Sequence, residues 1–172
     1  MHSLARQISD LVQTAPQQGI PVSAMEAIAQ MLSDIAADLE HLEYFILRDR
    51  QSGWWQCLLP VAADSTETIE EAWVVAFGYR SDAEDMLEVL SELGGLSDAP
   101  PFQIEAIDVL QLLFLGLGLK QSAGLMACDR SGNALDLLAG QPAKGKTIRC
   151  GELRSQLQQC LRRSQRDRSQ LA

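Results

Sequence analysis

Histidine is almost absent from this chain of 172 residues: there are two, and neither stands near a sequence partner for acid–base chemistry. His2 adjoins the first residue. His41 ends a predicted helix, where an imidazolium would suit the carbonyl end of the helix dipole. No H-E-x-x-H motif, zinc-type Cys/His spacing or calcium loop is present. The sequence therefore predicts no metal, no cofactor and no catalytic residue, and it favours a protein that is not an enzyme.

The sequence also lacks paired cysteines and long apolar runs. Its four cysteines form no C-x-x-C pair, and a chain of this length can build a core without disulfides, so we expect reduced, mostly buried thiols. The longest apolar run, Leu112 to Leu119, is much shorter than the ~20 residues needed to cross a bilayer. The first residues do not resemble a signal peptide. These observations predict a cytoplasmic protein without a membrane span.

Positive charge is scarce in most of the chain and is concentrated near its C-terminal end. Residues 1–140 contain 21 acidic and 6 basic residues, a net charge of −15, whereas residues 141–172 contain 2 acidic and 8 basic residues, a net charge of +6. An acidic body repels nucleic acids and anionic lipids, because phosphate contacts need Lys or Arg. Only the basic end, with Arg162, Arg163 and Arg166, suits such partners. The alternative is that these arginines are solvated or lie against the acidic body.

The patterning predicts an α+β fold. We expect a mostly antiparallel sheet of about five strands, an N-terminal helical hairpin over 3–42, a central helix and a basic C-terminal helix. The predicted organisation is a single domain over 1–150, in which the sheet and its helices occupy 43–150. The basic helix and tail follow in 151–172.

Two helices are predicted in the hairpin. Ser3 can cap the first, and Ser23 with Glu26 fits a capping box that opens the second, after a break at Pro16 and Gly19. The apolar residues of the second helix follow spacings of three and four, which makes a heptad-like seam: Met25, Ile28, Leu32, Ile35, Leu39 and Leu42. The seam faces either the core of the domain or a second copy of the chain.

Short apolar runs between turns predict the first strands. Residues 44–47 and 54–59 are typical of a β-hairpin around a Ser-Gly turn. Residues 72–79 are β-branched, aromatic and almost continuously apolar, which indicates a central strand covered on both faces. A capping box at Ser81 opens the central helix, with apolar positions that include Leu93.

Two later segments are harder to assign. Residues 100–119 have both helical and alternating spacing, and we favour a helix because Leu and Gln outnumber β-branched residues. Residues 125–138 are predicted as a second hairpin with a Gly-Asn turn. A final helix begins at Gly151 or Glu152 and frays in its arginine-rich end.

Adjacent tryptophans at 54 and 55 lie on a predicted strand, so their side chains point to opposite faces of the sheet. If Trp55 is in the core, Trp54 is either exposed or covered by another element. An exposed Trp54 beside Arg48 and Arg50 would suit a protein-binding hot spot, where Trp and Arg are enriched.

The string from Gly140 to Thr147 matches G-x-x-x-x-G-K-[ST] and resembles the phosphate-binding loop of P-loop NTPases. The resemblance implies that Gly145, Lys146 and Thr147 hold a phosphate and its magnesium ion. However, only 25 residues follow Thr147, too few for the rest of such a domain, and Gly151 falls where a helix should continue. We favour a flexible basic loop over a nucleotide site.

Three functions compete. The first is a non-enzymatic protein-interaction domain, an adaptor or assembly factor that binds a partner protein or self-associates as a homodimer. The second is a regulatory domain that senses a small molecule in an apolar pocket against the sheet. The third is nucleotide binding at 140–147. We favour the first, because the sequence gathers no recognisable set of reactive residues.

Overall fold

The computed structural model describes residues 3–49, 53–61, 69–93, 102–132, 136–137, 139 and 144–170, without the side chains at 61, 69, 165 and 167–170. The helices in this part of the chain are α1 (Leu4–Gln13), α2 (Val22–Ala36), α3 (Arg80–Leu93), α4 (Val109–Gly118) and α5 (Cys150–Gln170), with a 3-10 helix at Ala15–Gln18. The strands are β1 (Glu43–Asp49), β2 (Gln56–Val61), β3 (Ile69–Phe77), β4 (Phe102–Asp108), β5 (Gly124–Cys128) and β6 (Lys146–Arg149).

The strands form one sheet in the order β4-β1-β3-β5-β6, with β2 paired to β3 beside β1. Every pairing is antiparallel except that of β3 with β5, which is parallel. The predicted α+β fold with a mostly antiparallel sheet is confirmed, with six strands in place of about five.

Two strands share one edge of β3. β1 pairs with β3 only at Phe45 and Ile46 and then continues along β4. The chain turns back, Trp54 bridges to Arg48, and β2 takes over the rest of that edge of β3 from Gln56 onward. The first hairpin is therefore at the predicted place but short, because β2 pairs with β3 and not with β1 from Gln56 onward.

Alternate residues of β3 enter two separate cores, a larger one on one face of the sheet and a smaller one on the other. Val74 and Ala76 pack with α1, α2 and α4 in the larger core, whereas Trp73, Val75 and Phe77 pack with α3 in the smaller core. The near-continuous apolar run of this strand follows from that burial, since both of its faces are covered by helices. The prediction of a central, doubly covered strand is confirmed.

The N-terminal hairpin forms as predicted, although its second capping box does not. The side chain of Ser3 caps α1 by accepting a hydrogen bond from the Arg6 amide at 3.3 Å. Pro21 stands at the N-cap of α2, so Ser23 already lies inside the helix. The seam faces the core of its own domain at Met25, Ile28 and Leu32, which are buried there. Its far end was wrongly predicted, because α2 ends at Ala36, so Leu39 and Leu42 lie beyond the helix, and Leu42 is 45% exposed.

The central helix also begins earlier than predicted. α3 begins at Arg80, so Ser81 is not its cap, and Glu84 instead forms an ion pair with Arg80 at 2.9 Å. Ala83 and Met86 are buried as expected for inward positions, but Leu93, predicted to face inward, is 73% exposed. The helix begins directly after the tight turn that follows β3.

Two further predictions need correction. The helix favoured for 100–119 is wrong for its first half, since residues 102–108 form β4 and only residues 109–118 are helical. The second hairpin is wrong as well, because Asp136 and Leu137 are helical and the antiparallel partner of β5 is β6. Local spacing could not reveal that β5 pairs with strands far away in the sequence.

The basic helix α5 runs from Cys150 to Gln170, so it continues through the region predicted to fray. Cys150 and Leu153 are buried and Leu157 packs on the larger core, which fixes the helix against α2 and α4. Within the residues that the structure describes, none of the helices is both long and apolar enough to cross a bilayer.

Gln7 connects three elements at the N-terminal side of the larger core. Its side chain is 3% exposed. Its amide nitrogen donates to the carbonyl of Leu42 at 2.8 Å, and its carbonyl oxygen accepts from the amide of Leu110 at 3.1 Å. One glutamine thus joins α1 to the segment before β1 and satisfies a first-turn amide of α4, which would otherwise be buried without a partner.

We expect Gln7→Leu to lower the free energy of unfolding by about 1–3 kcal/mol, because it leaves the buried amide of Leu110 unpaired. The Leu42 carbonyl keeps its hydrogen bond from the Val109 amide at 3.0 Å. Urea unfolding followed by circular dichroism would measure this loss. Gln13→Leu on the exposed side of α1 is the matched control, and we expect it to change stability by less than about 0.5 kcal/mol. Equal effects of the two substitutions would contradict this role of Gln7.

Candidate functional site

Several reactive side chains converge where the parallel strands β3 and β5 end. The amide of Gly78 donates to the carbonyl of Cys128 at 2.9 Å, which aligns the two strand ends. His41 Nε2 lies 3.0 Å from the carbonyl oxygen of Asp129, and the Tyr44 hydroxyl donates to Asp129 Oδ1 at 2.5 Å. We call His41, Tyr44, Cys128 and Asp129, together with Asp82, the strand-end cluster. Ligands of open α/β sheets often bind beyond such ends.

The strand-end cluster does not have the properties of a nucleophilic centre. Cys128 is completely buried, and desolvation, reinforced by the charges of Asp82 and Asp129, raises its pKa to about 12. The thiol therefore stays protonated at neutral pH and is a poor nucleophile. A carbonyl can only accept, so His41 must carry its proton on Nε2, and that nitrogen is used for the bond to Asp129. Burial, followed by the hydrogen bond to Asp129, also raises the pKa of Tyr44.

Asp82 anchors the loop after β5 to the helix after β3. It lies in the first turn of α3, where a carboxylate is stabilised by the helix dipole, and it is 3% exposed. Its Oδ1 accepts from the Gly132 amide at 3.1 Å, and its Oδ2 has no hydrogen-bond partner among the described residues. Gly132 has a φ of +88°, a conformation that glycine adopts readily. The strand-end cluster thus fixes the connection from β3 to α3 and the loop that follows β5.

A long groove runs between α2 and α5, two helices that pack on the larger core. Its first section has a volume of about 690 Å³, and α2 and α5 supply its walls. Ala27 and Met31 form part of its floor, and the Cys160 thiol donates to the carbonyl of Ala27 at 3.3 Å. The residues that line this section are Ser23, Ala27, Gln30, Met31, Asp34, Gln156, Gln159, Cys160, Arg163 and Ser164.

The groove continues past the C-terminal end of α2 to strand β6. This second section has a volume of about 640 Å³ and shares Asp34 and Gln156 with the first. The residues that line it are Asp34, Ile35, Asp38, Leu39, Gly145, Lys146, Thr147, Ile148, Glu152, Leu153 and Gln156. We call the two sections together the α2–α5 groove.

The α2–α5 groove carries opposite charges at its two ends. Asp38, Glu152 and Lys146 line only the section beside β6, Arg163 lines only the far section, and Asp34 lines both. Gln30 donates to Asp34 Oδ1 at 3.1 Å, and no ion pair joins Arg163 to any residue that the structure describes. Side chains with available charge therefore stand at both ends of a groove whose floor contains apolar residues.

The residues of the predicted phosphate loop lie in this groove, but not in the conformation that a P-loop requires. Lys146 and Thr147 belong to strand β6 and not to the first turn of a helix, which corrects the prediction. The Lys146 ammonium donates to the carbonyl of Asp38. A Cβ on Gly145 would lie 1.7 Å from the Ala127 carbonyl oxygen, so close packing on β5 accounts for this glycine. Residues 140–143 lie outside the described residues.

The predicted tryptophan hot spot is only partly assembled. Trp54 is half-buried against the larger core and Trp55 against the smaller one, which confirms that they face opposite sides of the sheet. Arg48 forms an ion pair with Glu105 at 2.8 Å, and Arg50 lies outside the described residues. A binding role for Trp54 stays a prediction.

The three arginines predicted as an interaction surface are all exposed on α5. Arg163 lines the α2–α5 groove, as described above. Arg162 comes one residue before Arg163 in the sequence, and Arg166 comes three residues after it. A partner role for Arg162 and Arg166 stays a prediction, and so does the restriction of nucleic-acid contacts to this basic helix.

A smaller cavity lies between α1 and α4. Its volume is about 150 Å³, and Asp10, Asp108, Leu11 and Phe114 are among its lining residues. Small-molecule sites usually have volumes of about 300–1,000 Å³, so this cavity does not favour the sensor alternative. No group of three or more His, Cys, Asp or Glu in the described ranges could hold a metal ion.

Sequence reasoning found the ends of the α2–α5 groove but not the groove itself. It singled out Gly145, Lys146, Thr147 and Arg163, yet it could not place them against α2. The strand-end cluster was missed altogether, because His41 and Asp129 are 88 residues apart. Comparison with protein-family models, with curated proteins and with solved structures found no significant match.

The buried Cys128 thiol makes stability depend on pH in the alkaline range. Because its pKa is raised from 9.0 to about 12, the unfolded chain loses this proton above pH 9 while the folded chain keeps it. The free energy of unfolding should therefore fall as pH rises from 9 to 12, by about 1.4 kcal/mol per pH unit from this group. Urea unfolding at several pH values should give a shallower fall for Cys128→Ala, and parallel curves would contradict the assignment.

Proposed function

We propose that this chain is a non-enzymatic protein-interaction domain, an adaptor or assembly factor, and that it binds protein in the α2–α5 groove. One observation carries the proposal. The groove combines an apolar floor with charged side chains at both ends, and it runs along two helices that are themselves fixed on the core. Such a combination of apolar centre and polar rim is typical of protein–protein interfaces.

The shape of the groove supports a helical occupant over a small molecule. From Ser23 to Ile35 the groove follows α2 over 12 residue steps, which is about 18 Å at the rise of an α-helix, and it then continues past the end of α2. It is open to solvent along this length and does not enclose a ligand on all sides. An amphipathic helix can lay its apolar face on Ala27 and Met31 while its polar residues meet the rim.

The strand-end cluster supports a non-enzymatic role. Its thiol is buried and protonated, and its histidine is held on a backbone carbonyl. A catalytic group must reach the proton or atom on which it acts. We also propose that the protein is located in the cytoplasm and that it has a partner protein.

Reversal of two charges in the groove should remove partners from the protein. We expect the double variant Asp34→Lys with Arg163→Glu to lose the proteins that the wild-type chain captures from its source organism. Both side chains are exposed, so the folded structure should persist. Affinity capture followed by mass spectrometry would compare the sets of partners.

The matched control reverses a charge pair on the opposite side of the molecule. Arg80→Glu with Glu84→Arg keeps an i,i+4 ion pair on the exposed face of α3, and we expect it to capture the wild-type set. Loss of partners in this control, with an unchanged set in the groove variant, would sink the proposal.

A further inference from the structure

We infer that the α2–α5 groove is covered by the α2–α5 face of a second copy of this chain, related by a two-fold axis, so that a helix of each copy lies along the groove of the other. This inference rests on the proposed function and names its partner. A two-fold interface brings one surface patch onto itself, so each residue at one end of the patch meets residues from the other end in the partner. The groove has the charge distribution that such an arrangement needs.

The two walls of the groove run in opposite directions. Ser23 on α2 and Ser164 on α5 line the first section, whereas Asp38 and Glu152 line the second. Asp34 and Gln156 belong to both sections and therefore mark the middle. A two-fold axis through this middle would exchange the two ends of the groove.

Opposite charges would meet after that exchange. The basic end presents Arg163, and the acidic end presents Asp38 and Glu152. The Lys146 ammonium also lies at the acidic end, where it donates to the Asp38 carbonyl and offsets one of these two carboxylates, so this end keeps a net negative charge. Two copies related by the axis would place Arg163 of each on the acidic end of the other, twice in the dimer. A parallel arrangement would instead bring like charges together, which is unfavourable at an interface.

The size of the patch predicts reversible association. α2 and α5 contain 15 and 21 residues, so they are about 22 and 31 Å long, with radii of about 5 Å. Half of the outer surface of two such cylinders is about 800 Å², which is an upper limit and equals the area per partner in a standard interface. The dimer should therefore dissociate on dilution, and its detection needs a series of concentrations.

Two single charge reversals test the arrangement. Arg163→Glu and Asp38→Lys should each weaken self-association of the full chain at least tenfold, because each places like charges at both contacts. An equimolar mixture of the two variants should recover dimers that contain one copy of each, since both contacts then join opposite charges. Light scattering over a concentration series and native mass spectrometry of the mixture would measure these outcomes.

Controls distinguish this inference from the proposed function. Arg80→Glu with Glu84→Arg on α3 should leave dimerisation unchanged, and circular dichroism should show that each variant is folded. If Asp38→Lys fails to fold, Glu152→Lys at the same end of the groove should also weaken association and should recover mixed dimers with Arg163→Glu.

A wild-type chain that stays monomeric at the highest concentration would overturn the inference, and so would a mixture that forms no mixed dimers. Either result leaves the proposed function standing if the groove variant still loses its captured partners. An unchanged partner set in the groove variant would refute the proposed binding of other proteins in the groove, whereas the concentration series and the mixture decide the inference.

Discussion

The parallel pairing of β3 with β5 is the constraint on which the rest of the molecule depends. It places β3 between β1 and β2 on one edge and β5 on the other, so β3 is an inner strand, and packed cores bury its two faces. A parallel connection must cross over the sheet, and here α3, β4 and α4 make the crossing. Helices consequently cover both faces, and the groove and the strand-end cluster form at different sites around this pair.

The sequence was informative where local pattern and tertiary packing agree. The apolar run of β3, the Ser3 cap and the seam of α2 were predicted because each is determined by nearby residues. The start of α2 was misplaced, because Pro21 fits the N-cap position although its side chain cannot cap. Residues 102–118 carry two patterns in succession, and only their pairing with β1 shows where the strand ends and the helix begins.

The candidate sites were less predictable than the fold, because each is assembled from distant segments. Lys146 was noticed for a phosphate motif, whereas its position is set by β6 and by the Asp38 carbonyl. Gly145 is required by the approach to Ala127, which a short motif cannot distinguish from a ligand contact. His41 carried no local signal of its link to Asp129. In this chain, the residues of the short phosphate-loop motif have structural roles. The candidate binding surface is instead the groove that forms where α2 and α5 pack together.

The position of α5 also has a consequence for the order in which the chain matures. In the part of the chain that the structure describes, α5 follows β1 to β6, yet it covers part of α2, which precedes these strands. During translation, Ala27 on α2 cannot receive its hydrogen bond from Cys160 until the 133 residues up to Cys160 have emerged. Because β3 likewise waits for β5, the native sheet depends on contacts of long sequence separation, and topologies rich in such contacts acquire their native structure slowly. A nascent chain would therefore expose apolar surface on α2 to chaperones until α5 is made.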